Sequence, residues 1–307
     1  MADAFIPDDI SLPFFAYGVF QPGQLGFLRL KDLVSHLHDA CANGALYERD
    51  GLPLFVPGEG RPVHGKVLFF REGTACKAYL KVAELEPRKV YCWTKISYSE
   101  KGNPQESKPR AQANVLKGRS PEKGSSHIDL SEWDGSCDPL FTTALDMVKE
   151  TWAQYGRRRP RPNGGNTKDV AMRALFNLQM AYSLLWSSIE RYAALRHGLQ
   201  RGPLERIKLL AKERAFREAL IERVTKPREV FDVRNPAEEK YVLEPGEPEG
   251  SIKYYFQVRC NSVHRGKGGI AASRDFEILS QSLKELLAIF RDVMRTAFDE
   301  AKWDGDV

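Results

Sequence analysis

The chain has 307 residues and a mass of 34.8 kDa, enough for about two domains. With 42% hydrophobic and 28% charged residues it has a globular composition, which excludes wholesale disorder, a collagen-like repeat and a coiled-coil fibre. The net charge of +5 is spread as 14 Lys+Arg against 13 Asp+Glu in residues 1–110, 23 against 20 in 111–250 and 9 against 8 in 251–307. That bias is too weak for a sequence-independent coat on DNA, although local basic clusters leave a short RNA contact open. No apolar run approaches the roughly 18 residues of a membrane span. The start, MADAFIPDDISLP, is acidic and lacks the apolar stretch of a secretion signal, so a cytoplasmic protein without a membrane partner is expected. The five cysteines, Cys41, Cys76, Cys92, Cys137 and Cys260, are odd in number and form no C-x-x-C pair. They predict neither a disulfide framework nor a zinc site, and no metal or cofactor is expected.

In chain order, residues 10–100 read as strands and turns, the first part of a multi-domain α+β chain. LPFFAYGVF is an aromatic strand that runs into the turn Gln21-Pro22-Gly23. LKDLVSHLHDACANG reads as a short helix, because Leu33, Val34, Leu37 and Cys41 recur at helical spacing and Gly44 ends it. ALYERDGLPLFVP, with Asp50-Gly51 as its turn, HGKVLFFRE and RKVYCWTKISY are strand candidates. Residues 101–134 are polar and rich in Pro, Gly, Ser and Lys, which predicts a linker. Residues 135–303 follow as an α-helical bundle. Its helices are PLFTTALDMVKETWAQY, the long segment 167–197 stopped by Gly198, the charged segment 203–224, SIKYYFQVRCNSVHRG, and the segment 273–301. The long helix has an apolar face of Leu175, Leu178, Tyr182, Leu185 and Ile189. Residues 225–250, acidic and rich in Pro, read as an excursion loop.

The segment with the most chemistry is Arg259-Cys260-Asn261-Ser262-Val263-His264. At 100° per residue Arg259 and His264 stand about 140° apart on a helix, while Asn261 and His264 share a face. Two such helices meeting across a two-fold axis would pool two Arg and two His. A metal-free ribonuclease needs such a set, with His to move the 2′-OH proton and Arg to fork onto phosphate. The bland alternative is a polar helix end that caps carbonyls. YYFQVRCNSVHRGKGG, followed by SRDFEILSQSLKELLAIFRDV, resembles the signature of HEPN domains, and the upstream Leu185-Trp186-Ser187-Ser188-Ile189-Glu190-Arg191 resembles that family's second helix. The resemblance covers about residues 136–300. It implies a helical bundle that dimerises and cleaves RNA without metal, with Arg259, His264 and Asn261 as the catalytic set and Glu190 in support. Arg157, Arg158, Arg159 and Arg161 form a basic loop that would contact phosphates, and the nearby Trp152 and Tyr155 would stack on bases or sit in the core.

In the N-terminal part, Tyr17-Gly18 and Gly23 make a Y-G-x-x-x-x-G turn. The turn, the strands after it and Ala83-Glu84-Leu85-Glu86-Pro87 in that order resemble the gamma-glutamylcyclotransferase-like fold over about residues 12–98. The resemblance implies a small mixed barrel that releases 5-oxoproline from gamma-glutamyl compounds. The loop at Tyr17 and Gly18 would hold substrate, Glu86 would be the catalytic carboxylate and Tyr91 the downstream aromatic. The chain departs from the family at Val19, where a hydroxyl is usual, and at Pro87, where Gly is usual. Three readings follow. The first is a homodimeric endoribonuclease with a role in stress, toxin–antitoxin action or phage defence. The second is a small-molecule enzyme that uses Glu86, with the bundle for dimerisation or binding. The third is a pair of binding domains without turnover, with a small-molecule ligand in the first.

Overall fold

The computed structural model describes residues 5–49, 52–58, 61–86, 91–100, 109–116, 126–127, 138, 140–156, 167–198, 202–232, 240–264 and 273–305. The chain divides into two compact units. One comprises residues 1–139, 194–200 and 297–307, the other residues 140–193 and 201–296.

The first unit is built on a seven-stranded sheet. Its strands are β1 (Phe14–Ala16), β2 (Val34–Arg49), β3 (Leu52–Pro57), β4 (Arg61–Phe70), β5 (Tyr91–Glu100), β6 (Arg110–Leu116) and β7 (Ser126–His127). A helix, α1 (Ala75–Ala83), lies between β4 and β5 in sequence. The strand order is β3-β2-β4-β1-β6-β5, and β5 pairs back onto β2. That last pairing closes β2, β4, β1, β6 and β5 into a barrel. The barrel is mixed because β1 runs parallel to β6 while the other pairs are antiparallel.

The sequence reading of a helix over LKDLVSHLHDACANG is wrong. Residues 31–33 make a 3-10 turn and β2 takes the rest. The apparent helical spacing has a physical source. The register of β2 against β4 shifts between Val34 and His36, and this bulge puts Val34 and Leu37 on one buried face. Beyond it the strand alternates cleanly, with Ala40, Ala42 and Leu46 buried and Cys41 and Asn43 less so. The expected linker over 101–134 also needs correction, since β6 and β7 lie inside it and β6 is an interior strand of the barrel. Its polar residues Gln112 and Asn114 are buried, which disguised the strand.

Two apolar layers fill this unit. Inside the barrel lie Phe15, Tyr17, Phe55, Val67, Ile96, Tyr98, Ala113 and Val115. On the other face Phe14, Ala16, Phe27, Leu30, Leu68, Tyr79 and Val82 pack under α1, with Trp93 and Trp303 alongside. Residues far along the chain complete this layer. Trp303 meets Phe27 edge-on at 6.1 Å, the amide of Gly23 donates to the Ala301 carbonyl at 2.8 Å, and Lys31 Nζ donates to the Glu300 carbonyl at 2.9 Å. Gly198, at φ +85°, ends a helix beside the buried Arg29–Glu84 ion pair, where a Cβ would lie 2.8 Å from both side chains.

The second unit holds α2 (Thr143–Tyr155), most of α3 (Thr167–His197), α4 (Pro203–Leu210), α5 (Arg214–Arg223), the hairpin β8 (Arg228–Phe231) and β9 (Lys240–Leu243), α6 (Pro248–His264) and most of α7 (Ser273–Glu300). Leu178, Tyr182, Leu185 and Ile189 of α3 are buried as expected, while Leu175 is half-buried. The single helix expected over 203–224 is two. Ile207, Leu210 and Ala211 form one buried group and Phe216, Ala219 and Leu220 another. At 100° per residue Leu210 and Phe216 are about 120° apart, so the break at 211–213 brings both groups to the core. Tyr192 donates to the Glu213 carboxylate at this break at 2.6 Å. The expected excursion loop over 225–250 contains the hairpin and the start of α6. Arg228 of β8 forms a two-pronged ion pair with Glu285 of α7. Tyr182 donates to the Tyr255 carbonyl at 3.0 Å within the same buried layer.

Gly65 of β4 faces the Ala16 carbonyl and the Phe15 ring, where a Cβ would lie 2.6–2.7 Å away. Gly65→Ala is therefore expected to lower stability by about 2 kcal/mol, read as a drop of several degrees in the calorimetric melting temperature.

Candidate functional site

Strand polarity builds the site in the first unit. Because β1 is parallel to β6 and β5 antiparallel to β6, the ends of β1 and β6 and the start of β5 lie at one end of the barrel. Tyr17 follows β1, Tyr91 opens β5, and Asn114 lies near the end of β6. Glu86 reaches the same place from the turn after α1, where the Glu84 and Leu85 amides continue the helical bonding to the Leu80 and Val82 carbonyls. This turn sends the two glutamates to different partners. Glu84 pairs with Arg29, while Glu86 turns its carboxyl inward.

The structure thus brings together Tyr17, Glu86 and Tyr91, the candidates the sequence offers, and adds Asn114. Tyr17 donates its hydroxyl to the Asn114 carbonyl at 2.8 Å and packs its ring against Phe55 at 5.3 Å. Glu86 Oε2 is buried without a hydrogen-bond partner, although the residue as a whole is half-buried. Burial lifts its carboxyl from the ordinary 4.5 to about 8, and the adjacent Asn114 side chain holds it down in part. No hydrogen bond of normal geometry joins the two side chains, because both Asn114 side-chain atoms also lack partners. The Tyr17 hydroxyl is pushed well above its usual range by burial, then by Glu86 and Tyr91.

The loop after β1 curls back on itself, with the Gln21 amide donating to the Gly18 carbonyl at 2.9 Å. Gly23 takes a left-handed φ of +83°, and Gly26 lies so close to the Val19 carbonyl that a Cβ would sit 2.6 Å from it. Among the described residues the amides of Gly18, Val19 and Phe20 have no hydrogen-bond partner. Pro87 lies outside the described residues. A half-open cavity of about 260 Å³ is found toward the other end of β5, lined by Cys41, Asn43, Lys95 and Ser97–Ser99 among others. It does not include Glu86.

Residues 14–135 match the family model described as gamma-glutamyl cyclotransferase, AIG2-like. The N-terminal part of this chain is therefore similar to AIG2-like gamma-glutamyl cyclotransferases. No curated protein and no solved structure matches the chain. The AIG2-like match ends at residue 135, so it does not reach the segment that resembles HEPN domains.

In the helical unit, Arg259, Asn261 and His264 all lie on the last turns of α6, with His264 its final residue. Asn261 accepts from Gln257 Nε2 at 2.9 Å and donates to the Phe231 carbonyl at 2.8 Å, so its amide ties α6 to the hairpin. Glu190 accepts from Trp186 Nε1 at 3.0 Å on its own helix. Trp152 donates to the Ser280 carbonyl at 3.1 Å beneath Lys284, a packing role within the unit. The basic loop with Arg157, Arg158, Arg159 and Arg161 lies outside the described residues. Among the described helices none is long and apolar enough to cross a membrane.

The raised folded value of Glu86 fixes the sign of a pH effect. Its neutral form keeps its full advantage below pH 4.5 and loses it as pH rises through about 8. Chemical unfolding of the wild type is expected to weaken by several kcal/mol between pH 5 and pH 9 relative to Glu86→Gln, which carries no ionisable group there.

Proposed function

We propose that the AIG2-like domain cyclises gamma-glutamyl amines, releasing 5-oxoproline and the free amine. The observation that carries this reading is the buried, proton-retaining Glu86 carboxyl beside a loop with unengaged amides. In this reaction the substrate's α-amine attacks its own γ-carbonyl. A new C–N bond closes the five-membered ring, the old amide C–N bond breaks, and the leaving nitrogen collects the protons that the α-ammonium gives up. No water is consumed. Glu86 is the group that shuttles these protons, and a base with a value near 8 is well matched to an ammonium near neutral pH. The amides of Gly18, Val19 and Phe20 supply donors for the carbonyl oxygen as it gains charge. Val19 carries no hydroxyl, so the loop contributes through its backbone.

The test is 5-oxoproline release from a panel of gamma-glutamyl amines. Turnover is expected to rise with pH to a midpoint near 8, because the active form of Glu86 is the ionised one. Glu86→Gln is expected to lower kcat at least 10²-fold with the fold intact. A wild type that releases no 5-oxoproline from any of them overturns the reading.

A second reading concerns the helical unit, and one observation favours it. The half-buried Arg259 guanidinium has no hydrogen-bond or ion-pair partner among the described residues, an unspent cation five residues before His264. Under this reading the unit acts as a homodimer that cleaves RNA by 2′-OH attack, with Arg259 on the phosphate and His264 moving the proton. Cleavage of tRNA or rRNA in EDTA is expected to be lost in His264→Ala while the dimer persists. Absence of cleavage by the wild type overturns it.

A further inference from the structure

Three buried polar atoms without partners meet at one place in the first unit, namely Glu86 Oε2, Asn114 Nδ2 and Asn114 Oδ1. Asn114 is 1% exposed, so solvent does not satisfy its amide. A folded protein rarely leaves both ends of a buried amide unbonded, since each orphan atom costs stability with no return from within the chain. The main chain of Asn114 is engaged, its carbonyl holding the Tyr17 hydroxyl, and that bond fixes the strand beneath the side chain. What remains is one donor and one acceptor on a rigid strand, next to the carboxyl that moves the proton.

We propose that Asn114 is a substrate-contacting residue of this site, its Oδ1 accepting an N–H from the attacking α-amine and its Nδ2 donating to the adjacent α-carboxylate of a gamma-glutamyl ligand. The inference rests on the reading of the Glu86 site given above and names the group that reads the head of the substrate. An α-amino acid end offers N–H donors and carboxylate acceptors two bonds apart through one carbon, which complements a carboxamide. Accepting from the amine turns its lone pair toward the γ-carbonyl. Asn114 thereby supplies from β6 a polar contact that the loop, with Val19, does not supply from its side chain. The ionisable group shown to act with Glu86 is Tyr17 from the β1 loop, which also feels Tyr91 of β5, while Glu84 of the same turn as Glu86 is held by Arg29. Burial and Glu86 push the Tyr17 hydroxyl well above its ordinary range, so a shift in the pH profile near 8 on changing Asn114 reports on Glu86.

The experiment compares wild type with Asn114→Leu and Asn114→Asp in the full chain. Asn114→Leu removes two orphan atoms at similar volume and is expected to keep or raise the melting temperature. At the same time KM for a gamma-glutamyl amine rises at least tenfold, and the midpoint of the pH–rate profile moves upward, because Asn114 no longer favours the ionised carboxyl. Asn114→Asp places a second acid there and is expected to move the midpoint upward further. A kcat/KM within twofold of wild type in Asn114→Leu overturns the proposal. On the wild type, the side-chain amide resonances of Asn114 are expected to shift on titration with L-glutamine or 5-oxoproline, and resonances that stay in place at saturation, or the lack of any binding, overturn it. Binding that depends on Asn114 without any turnover sinks the cyclotransferase reading alone. Turnover indifferent to Asn114 sinks this inference alone.

Discussion

The pairing of β2 with β5 turns a sheet into a ring, and the chemistry of the first unit depends on that closure. A closed ring leaves no open edge at the site and lets aromatic side chains fill its interior, so water has little access to the rim where Glu86 turns in. A carboxyl on an open sheet would stay hydrated and ionised near pH 4.5. Here the same group keeps its proton to about 8 because it has lost water and gained only a neutral amide. The parallel pairing of β1 and β6 matters equally, since reversing either strand would carry Tyr17 and Asn114 to opposite ends of the barrel.

The helical unit solves a different problem with similar means. Arg228 pairs with Glu285 and the Tyr192 hydroxyl donates to Glu213, and these contacts hold elements of the unit in place. Asn261 belongs to that bookkeeping, bonded on both sides of its amide. The contrast with Asn114, equally an amide and more deeply buried but bonded on neither side, separates a fastening residue from one held ready for a ligand.

The sequence made legible whatever depended on local chemistry. The turn of Gly23, the strands around Phe15 and Val67, and the end of α3 at Gly198 follow from side-chain type and spacing. Tyr17, Glu86 and Tyr91 were named from a resemblance, and the structure gathers them at one end of the barrel. What was hidden depended on partners distant in sequence. The bulge in β2 mimicked a helix because it shifted the alternation by one residue. β6 read as linker because Gln112 and Asn114 are polar, and only the layers on its two faces explain why they are buried. Asn114 could have been suspected from a single polar residue between Ala113 and Val115, but which group it faces is a matter of strand pairing.

The first unit is discontinuous along the chain. Residues 194–200 and 297–307 belong to it, the first bringing Gly198 against Arg29 and Glu84, the second bringing Trp303 onto Phe27. A ribosome that has already released every strand of the barrel has yet to make the residues that cover Phe27. The nascent barrel therefore waits, with an apolar face open, through the synthesis of the whole helical unit. Protein synthesis itself sets the order of events, and the barrel is the first part begun and among the last to be sealed.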